Sequence, residues 1–66
     1  MNENDTQEPV MPRLLTVEEV GEITRVSPAG IRRYVAAGEL PAVRIGKLLR
    51  FRPEDITAWI DSQVVA

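Results

Sequence analysis

Ser27-Pro28 is the feature that most limits what this chain can become. Serine in that place accepts a hydrogen bond from the first turn of a new helix, and proline next to it loses no bond the helix needs. Only a few residues earlier another helix is ending. Thr16 and Glu19, three apart, form a capping box that starts it. Val17, Val20 and Ile23 supply its apolar stripe, with Leu15 as a staple. Glu18, Glu19 and Glu22 stay in solvent. This helix is expected to finish near Thr24, leaving Arg25-Val26-Ser27 as the whole connection, with Val26 plugged into the core. Two helices joined so briefly must cross steeply, which is the helix-turn-helix arrangement. Gly21 falls on or near the buried side, where a missing side chain lets another helix come close.

The second helix is expected from Pro28 to about Ala37, stopped by Gly38 in the left-handed conformation. Helical spacing puts Ile31 and Val35 on one face, flanked by Tyr34, and turns Ala29, Arg32, Arg33 and Ala36 the other way. That outward face combines small residues with arginines. The first let a helix backbone sink toward base edges, and the second reach phosphates or guanine acceptors.

Leu40-Pro41 then leads into a hairpin spanning 42–52, with Gly46-Lys47-Leu48 at its tip. Alternation assigns Val43, Ile45, Leu49 and Phe51 to the core side and Arg44, Arg50 and Arg52 to a cationic side. Lys47 at the glycine turn is placed to follow a phosphate backbone or enter a minor groove. Leu48 is an exposed apolar residue, either a knob for a neighbour or an ordinary surface leucine. A third helix opens at Arg52-Pro53 with Glu54 and Asp55 in its first turn, where the dipole favours them. Ile56, Trp59 and Ile60 make its expected buried stripe, with Trp59 assigned to packing rather than base stacking. Residues 63–66 are expected to fray.

Composition bounds the rest. Sixty-six residues without cysteine or histidine make one small α+β domain with neither disulfide nor the usual zinc ligands. No metal or cofactor is expected, and no enzyme: the better-placed hydroxyls, Thr16 and Ser27, serve as caps, and the carboxylates lie on solvated faces. No apolar run approaches a membrane span, so a cytoplasmic, nucleoid-associated protein of a bacterial host is expected. The net charge of −2 hides a segregation. All eight Lys and Arg fall within residues 13–52, against four carboxylates, for +4. The segments 1–12 and 53–66 each carry −3. A basic island is what a polyanion meets. Residues 1–12 read as a disordered acidic tail and 13–66 as the domain.

The run LTVEEVGEITRVSPAGIRRYVAAGELPAVRIGKLLRFRPEDITAWI resembles the phage excisionase group of winged helix-turn-helix proteins, relatives of the MerR-type DNA-binding domains. The resemblance rests on the Val26-Ser27 turn, Ile31-Arg32-Arg33-Tyr34, Gly38-Glu39-Leu40-Pro41, Arg44-Ile45-Gly46-Lys47, and Arg50-Phe51-Arg52 running into Glu54-Asp55. It implies a second helix docked in the major groove of double-stranded DNA, with Ser27, Arg32 and Arg33 at the DNA. It also implies Tyr34 packed beneath that helix with its hydroxyl near a phosphate, and a wing served by Arg44, Lys47, Arg50 and Arg52. Small members of the group bind adjacent sites, bend DNA and cooperate with an integrase to favour excision over integration. MerR-type regulators carry a long dimerisation helix and an effector domain after the wing, and none is read here.

Three residues depart from the group's pattern. Arg25 stands where glycine is frequent, and a left-handed residue there costs about 1 kcal/mol. Gly30 replaces a threonine or serine, weakening the helix by roughly 1 kcal/mol relative to alanine and favouring readout through phosphates and DNA shape. Leu48 replaces a polar wing tip. The acidic ends and basic middle suit head-to-tail contacts between copies on DNA. Two other functions fit the same residues: a stand-alone transcriptional regulator at a single operator, and an adaptor whose basic strip binds an acidic protein.

Overall fold

A computed structural model describes residues 13–65, in the order α1 (Val17–Thr24), α2 (Pro28–Ala36), β1 (Val43–Ile45), β2 (Leu48–Arg50) and α3 (Pro53–Ser62). The acidic tail expected over residues 1–12 lies outside the described residues. Three helices and one antiparallel hairpin make a small α+β winged helix-turn-helix. No helix among the described residues is long and apolar enough to cross a membrane.

The helix starts follow from their caps. Thr16 Oγ1 accepts from the Glu19 amide at 3.1 Å, and the Thr16 amide donates to Glu19 Oε1 at 2.8 Å, closing the capping box. Ser27 Oγ accepts from the Gly30 amide at 3.1 Å, and Pro28 opens α2. α3 has no side-chain cap bond, but Pro53 opens it and Arg52 Nε donates to Asp55 Oδ2 at 3.0 Å across its first turn. α2 ends within one residue of its expected limit, and Gly38 takes the left-handed conformation at φ 78°.

The core consists of Val17, Val20, Ile31, Leu40, Phe51, Ile56 and Trp59, drawn from every helix and from both ends of the hairpin. Burying each aliphatic or aromatic side chain contributes about 1.5–3 kcal/mol, so seven of them are what holds a domain of this size. Leu15 pairs with Phe51 through two backbone bonds of 2.8 and 2.9 Å, which ties the segment before α1 to the hairpin's second arm. Trp59 packs edge-on against Tyr34, ring centroids 5.1 Å apart, in the packing role expected of it. Its Nε1 is buried and finds no acceptor among the described residues, and a donor left so costs about 1–3 kcal/mol.

Gly21 sits where close approach is needed, although the neighbour is the turn rather than a helix face. A Cβ there would stand 2.8 Å from the Val26 carbonyl oxygen. Val26 itself is half-buried against the core.

Two expectations are corrected. Ile23 and Ile60 were assigned to buried stripes, yet they are 55% and 39% exposed. Helical periodicity places each on the right side of its helix, but no other element among the described residues covers them. The hairpin differs more. Val43 pairs with Arg50, Arg44 with Leu49, and Ile45 with Leu48, so the tip is the two residues Gly46-Lys47, not three. Directly opposed residues share a face. Leu49 and Phe51 therefore face the core together with Ala42 and Arg44, while Val43 and Ile45 turn outward beside Leu48 and Arg50. One residue fewer in the turn flips one strand's faces against the other's. A positive φ of 61° at Gly46, with none at Lys47, fits a type II′ turn, one of the two that suit the twist of paired strands.

Candidate nucleic-acid interface

The outward side of α2 is as its periodicity requires: Ala29, Arg32, Arg33 and Ala36 are all exposed. The first turn of α2 has no acidic residue, so the partial positive charge of its amide end is not neutralised from within. Ser27 is exposed at that end while holding its cap bond. Arg32 reaches toward Glu18 of α1, Nη2 to Oε2 4.0 Å, with both side chains more than half exposed. A pair so open to water is worth under about 1 kcal/mol, and a phosphate can replace the carboxylate at little cost.

Tyr34 lies on the opposite margin of α2, half-buried against Trp59. It supports the helix from beneath, as the resemblance implies. Gly30 is needed as glycine for a reason the sequence did not reveal. A Cβ would come within 2.8 Å of Val26 Cγ1 and 3.3 Å of Ser27 Oγ, crowding both the turn and its cap.

The cations of the wing do not form one strip. Arg44 and Lys47 are exposed, the first on the Leu49 side of the hairpin and the second at its tip. Arg50 lies on the other side, half-buried, with Nη1 donating to the Leu49 carbonyl at 2.8 Å. Arg52 is exposed beyond the strand and bound to Asp55. That hydrogen bond first, and the carboxylate's charge second, hold the Arg52 guanidinium more firmly protonated than an ordinary arginine. Among the described residues Arg44 and Lys47 are thus the wing cations without an intramolecular partner, while Arg50 and Arg52 are partly committed.

Arg25, expected only as a turn residue, adds a cation beside α2. It is exposed, left-handed at φ 62°, and shares a surface hollow with Pro28 at the start of α2. The signal was available: a basic residue between two helices whose second carries the arginine face. Among the described residues no cluster of acidic side chains could hold a metal ion.

Comparison with known proteins follows this geometry. Residues 14–64 match the helix-turn-helix domain family. The excisionase of Mycobacterium phage D29 is 35% identical over 49 residues, which cover 73% of this chain and 88% of that protein. "Putative DNA-binding protein Rv0500A" of Mycobacterium tuberculosis (strain ATCC 25618 / H37Rv) is 53% identical over 50 residues, 76% of this chain and 64% of that one. Transcriptional repressor DcmR of Methylorubrum extorquens is 37% identical over 49 residues, 71% of this chain but 18% of the repressor. The chain therefore spans under two thirds of the tuberculosis protein and under a fifth of the repressor. A match across nearly all the described residues, on a fold with a free arginine helix face, settles the family: the chain belongs to the excisionase-like helix-turn-helix proteins, a family of DNA-binding domains.

Proposed function

We propose that this protein is an excisionase: it binds adjacent duplex sites cooperatively, bends the DNA and directs an integrase toward excisive recombination in the bacterial cytoplasm. α2 lies in the major groove, where Ala29 permits close approach, Ser27 and Arg32 meet the backbone near the helix start, and Arg33 reaches phosphate or base. Tyr34 braces α2. Arg44 and Lys47 of the wing contact the neighbouring phosphates, with Arg50 and Arg52 behind them. The observation that carries this reading is the exposed Ala29–Arg32–Arg33–Ala36 face on a helix whose own first turn has no acidic residue. A single module of this kind covers only roughly 600–1,000 Å² on DNA, so neighbouring copies would raise occupancy substantially. The chemistry asked of it is binding and deformation, not catalysis.

The test is a circular-permutation gel shift on DNA from the protein's own locus, titrated with protein. Several cooperative shifts whose mobility depends on site position are expected. Similarity to a transcriptional repressor favours a second reading, a regulator at one operator, for which one shift without bending is expected. No shift at moderate salt would overturn both and leave the adaptor role. Charge reversal at Arg33 or Lys47 that left affinity and its salt dependence unchanged would remove the assigned surface.

A further inference from the structure

Among the described residues the hairpin and the helices each leave an apolar surface uncovered. On the hairpin it is the outward face, where Ile45 and Leu48 oppose each other across the turn at 50% and 53% exposure, next to half-buried Val43. On the helices it is an open groove of about 420 Å³ between the end of α1 and the end of α3, lined by Ile23, Val26, Tyr34, Trp59 and Ile60. Such a volume is large enough to receive two aliphatic side chains. Thr24 and Gln63 stand at its polar margin, and Trp59 contributes part of its wall.

Charge selects between the ways these surfaces can be covered. α3 has no basic residue in its last turn and ends on Gln63, so its end keeps its partial negative charge, whereas α1 ends on Arg25. Glu22 and Asp61 stand exposed beside Ile23 and Ile60. The hairpin's outward face carries Arg50, with Lys47 at its tip. Hairpin against hairpin, or groove against groove, would set like charges together. Hairpin into groove sets cations on carboxylates and the end of α3.

From this we infer that the α1–α3 groove is the docking site for the hairpin of a second copy of this chain, Ile45 and Leu48 entering between Ile23 and Ile60. The contact is heterologous, so it leaves one hairpin and one groove open and propagates instead of closing. It also divides the wing by face: Arg44 and Lys47 serve DNA, and Ile45 and Leu48 serve the next copy. The inference rests on the proposed cooperative binding and names the surface responsible for it.

Two measurements test it separately from DNA binding. The chain has one tryptophan, so the Trp59 indole N–H is a single resonance in a nitrogen-correlated spectrum. Because Trp59 lines the groove, without DNA that resonance is expected to shift as wild-type protein is concentrated, and to stay fixed in Leu48→Asp. A shift independent of concentration that vanished when residues 1–12 were removed would overturn the inference in favour of an intramolecular occupant. On a duplex carrying two adjacent sites, Leu48→Asp and Ile60→Glu are each expected to keep first-site affinity within about twofold and to lose roughly tenfold or more of the second-site enhancement. Should Ile60→Glu fold poorly, Ile23→Gln replaces it. Mixing the hairpin variant with the groove variant is expected to restore the enhancement, since one intact hairpin then meets one intact groove. Full cooperativity in either variant alone would overturn the inference. Loss of first-site binding by wild type would strike the DNA reading instead, with the tryptophan measurement still deciding the contact.

Discussion

Arg25 and Gly46 share a positive φ, 62° and 61°, yet one is an arginine and the other a glycine. The difference lies in what surrounds them. The turn at Arg25 is fixed from outside: it lies so close that a Cβ on Gly21 would meet the Val26 carbonyl and one on Gly30 would meet Val26 Cγ1, and the Arg25 and Val26 amides both donate to the Gly21 carbonyl. Packing there overrides the residue's own preference, so an arginine is tolerated where glycine is easier. The turn at Gly46 has nothing within 4 Å of where a Cβ would stand. Its conformation is set locally, by the glycine and by the strand pairing it closes.

The largest expected effect breaks the packed turn. Gly21→Ala puts a methyl 2.8 Å from a backbone oxygen that cannot move without shifting α2. Alanine is the better helix former by about 1 kcal/mol, but crowding of this kind costs about 1–3 kcal/mol. Net destabilisation on urea unfolding is expected, with the tilt of α2 and therefore DNA affinity affected as well. If Gly21→Ala stabilised the protein, the turn would not be held by that contact.

A matched pair sharpens the comparison at intermediate size. Arg25→Gly relieves a left-handed side chain and is expected to raise stability by about 0.5–1 kcal/mol, after the glycine's greater freedom in the unfolded chain is allowed for. Gly46→Ala puts a side chain at a positive φ in open space and is expected to lower stability by about 1 kcal/mol or more. The two changes should have opposite signs on the same denaturation axis. Equal signs would mean that position 25 is set by something other than backbone strain. Gly30→Ala falls between them, because the helix gain of about 1 kcal/mol meets the Val26 Cγ1 contact at 2.8 Å. A change within about 0.5 kcal/mol of zero is expected, well short of the gain propensity alone would give.

These contrasts also explain which parts of the molecule could be read in advance. Caps are local, and Thr16, Ser27, Pro28 and Gly38 stand where their chemistry placed them. The arginine face of α2 needed only the helical period. The hairpin faces depended on turn length, and Gly46-Lys47-Leu48 offers no residue that separates a two-residue tip from a three-residue one. That single residue moved Val43 and Ile45 outward and split Arg44 from Arg50. Ile23 and Ile60 show a different limit. A 3.6-residue period says which side of a helix is apolar, not whether anything arrives to cover it.

The smallest expected effect on stability isolates function from fold at the second turn. Lys47 is exposed and has no partner among the described residues, so Lys47→Ala should change the unfolding free energy by no more than about 0.5 kcal/mol. If its ammonium lies against a phosphate, its removal instead weakens DNA binding about equally at all sequences and lowers the slope of log affinity against log salt by about 1. Arg25→Gly supplies the contrast at the first turn, since it removes a cation beside α2 while relieving strain. Affinity should then fall as stability rises. A salt slope altered by Arg25→Gly but not by Lys47→Ala would place the DNA contact on the helix pair alone and leave the wing to other partners.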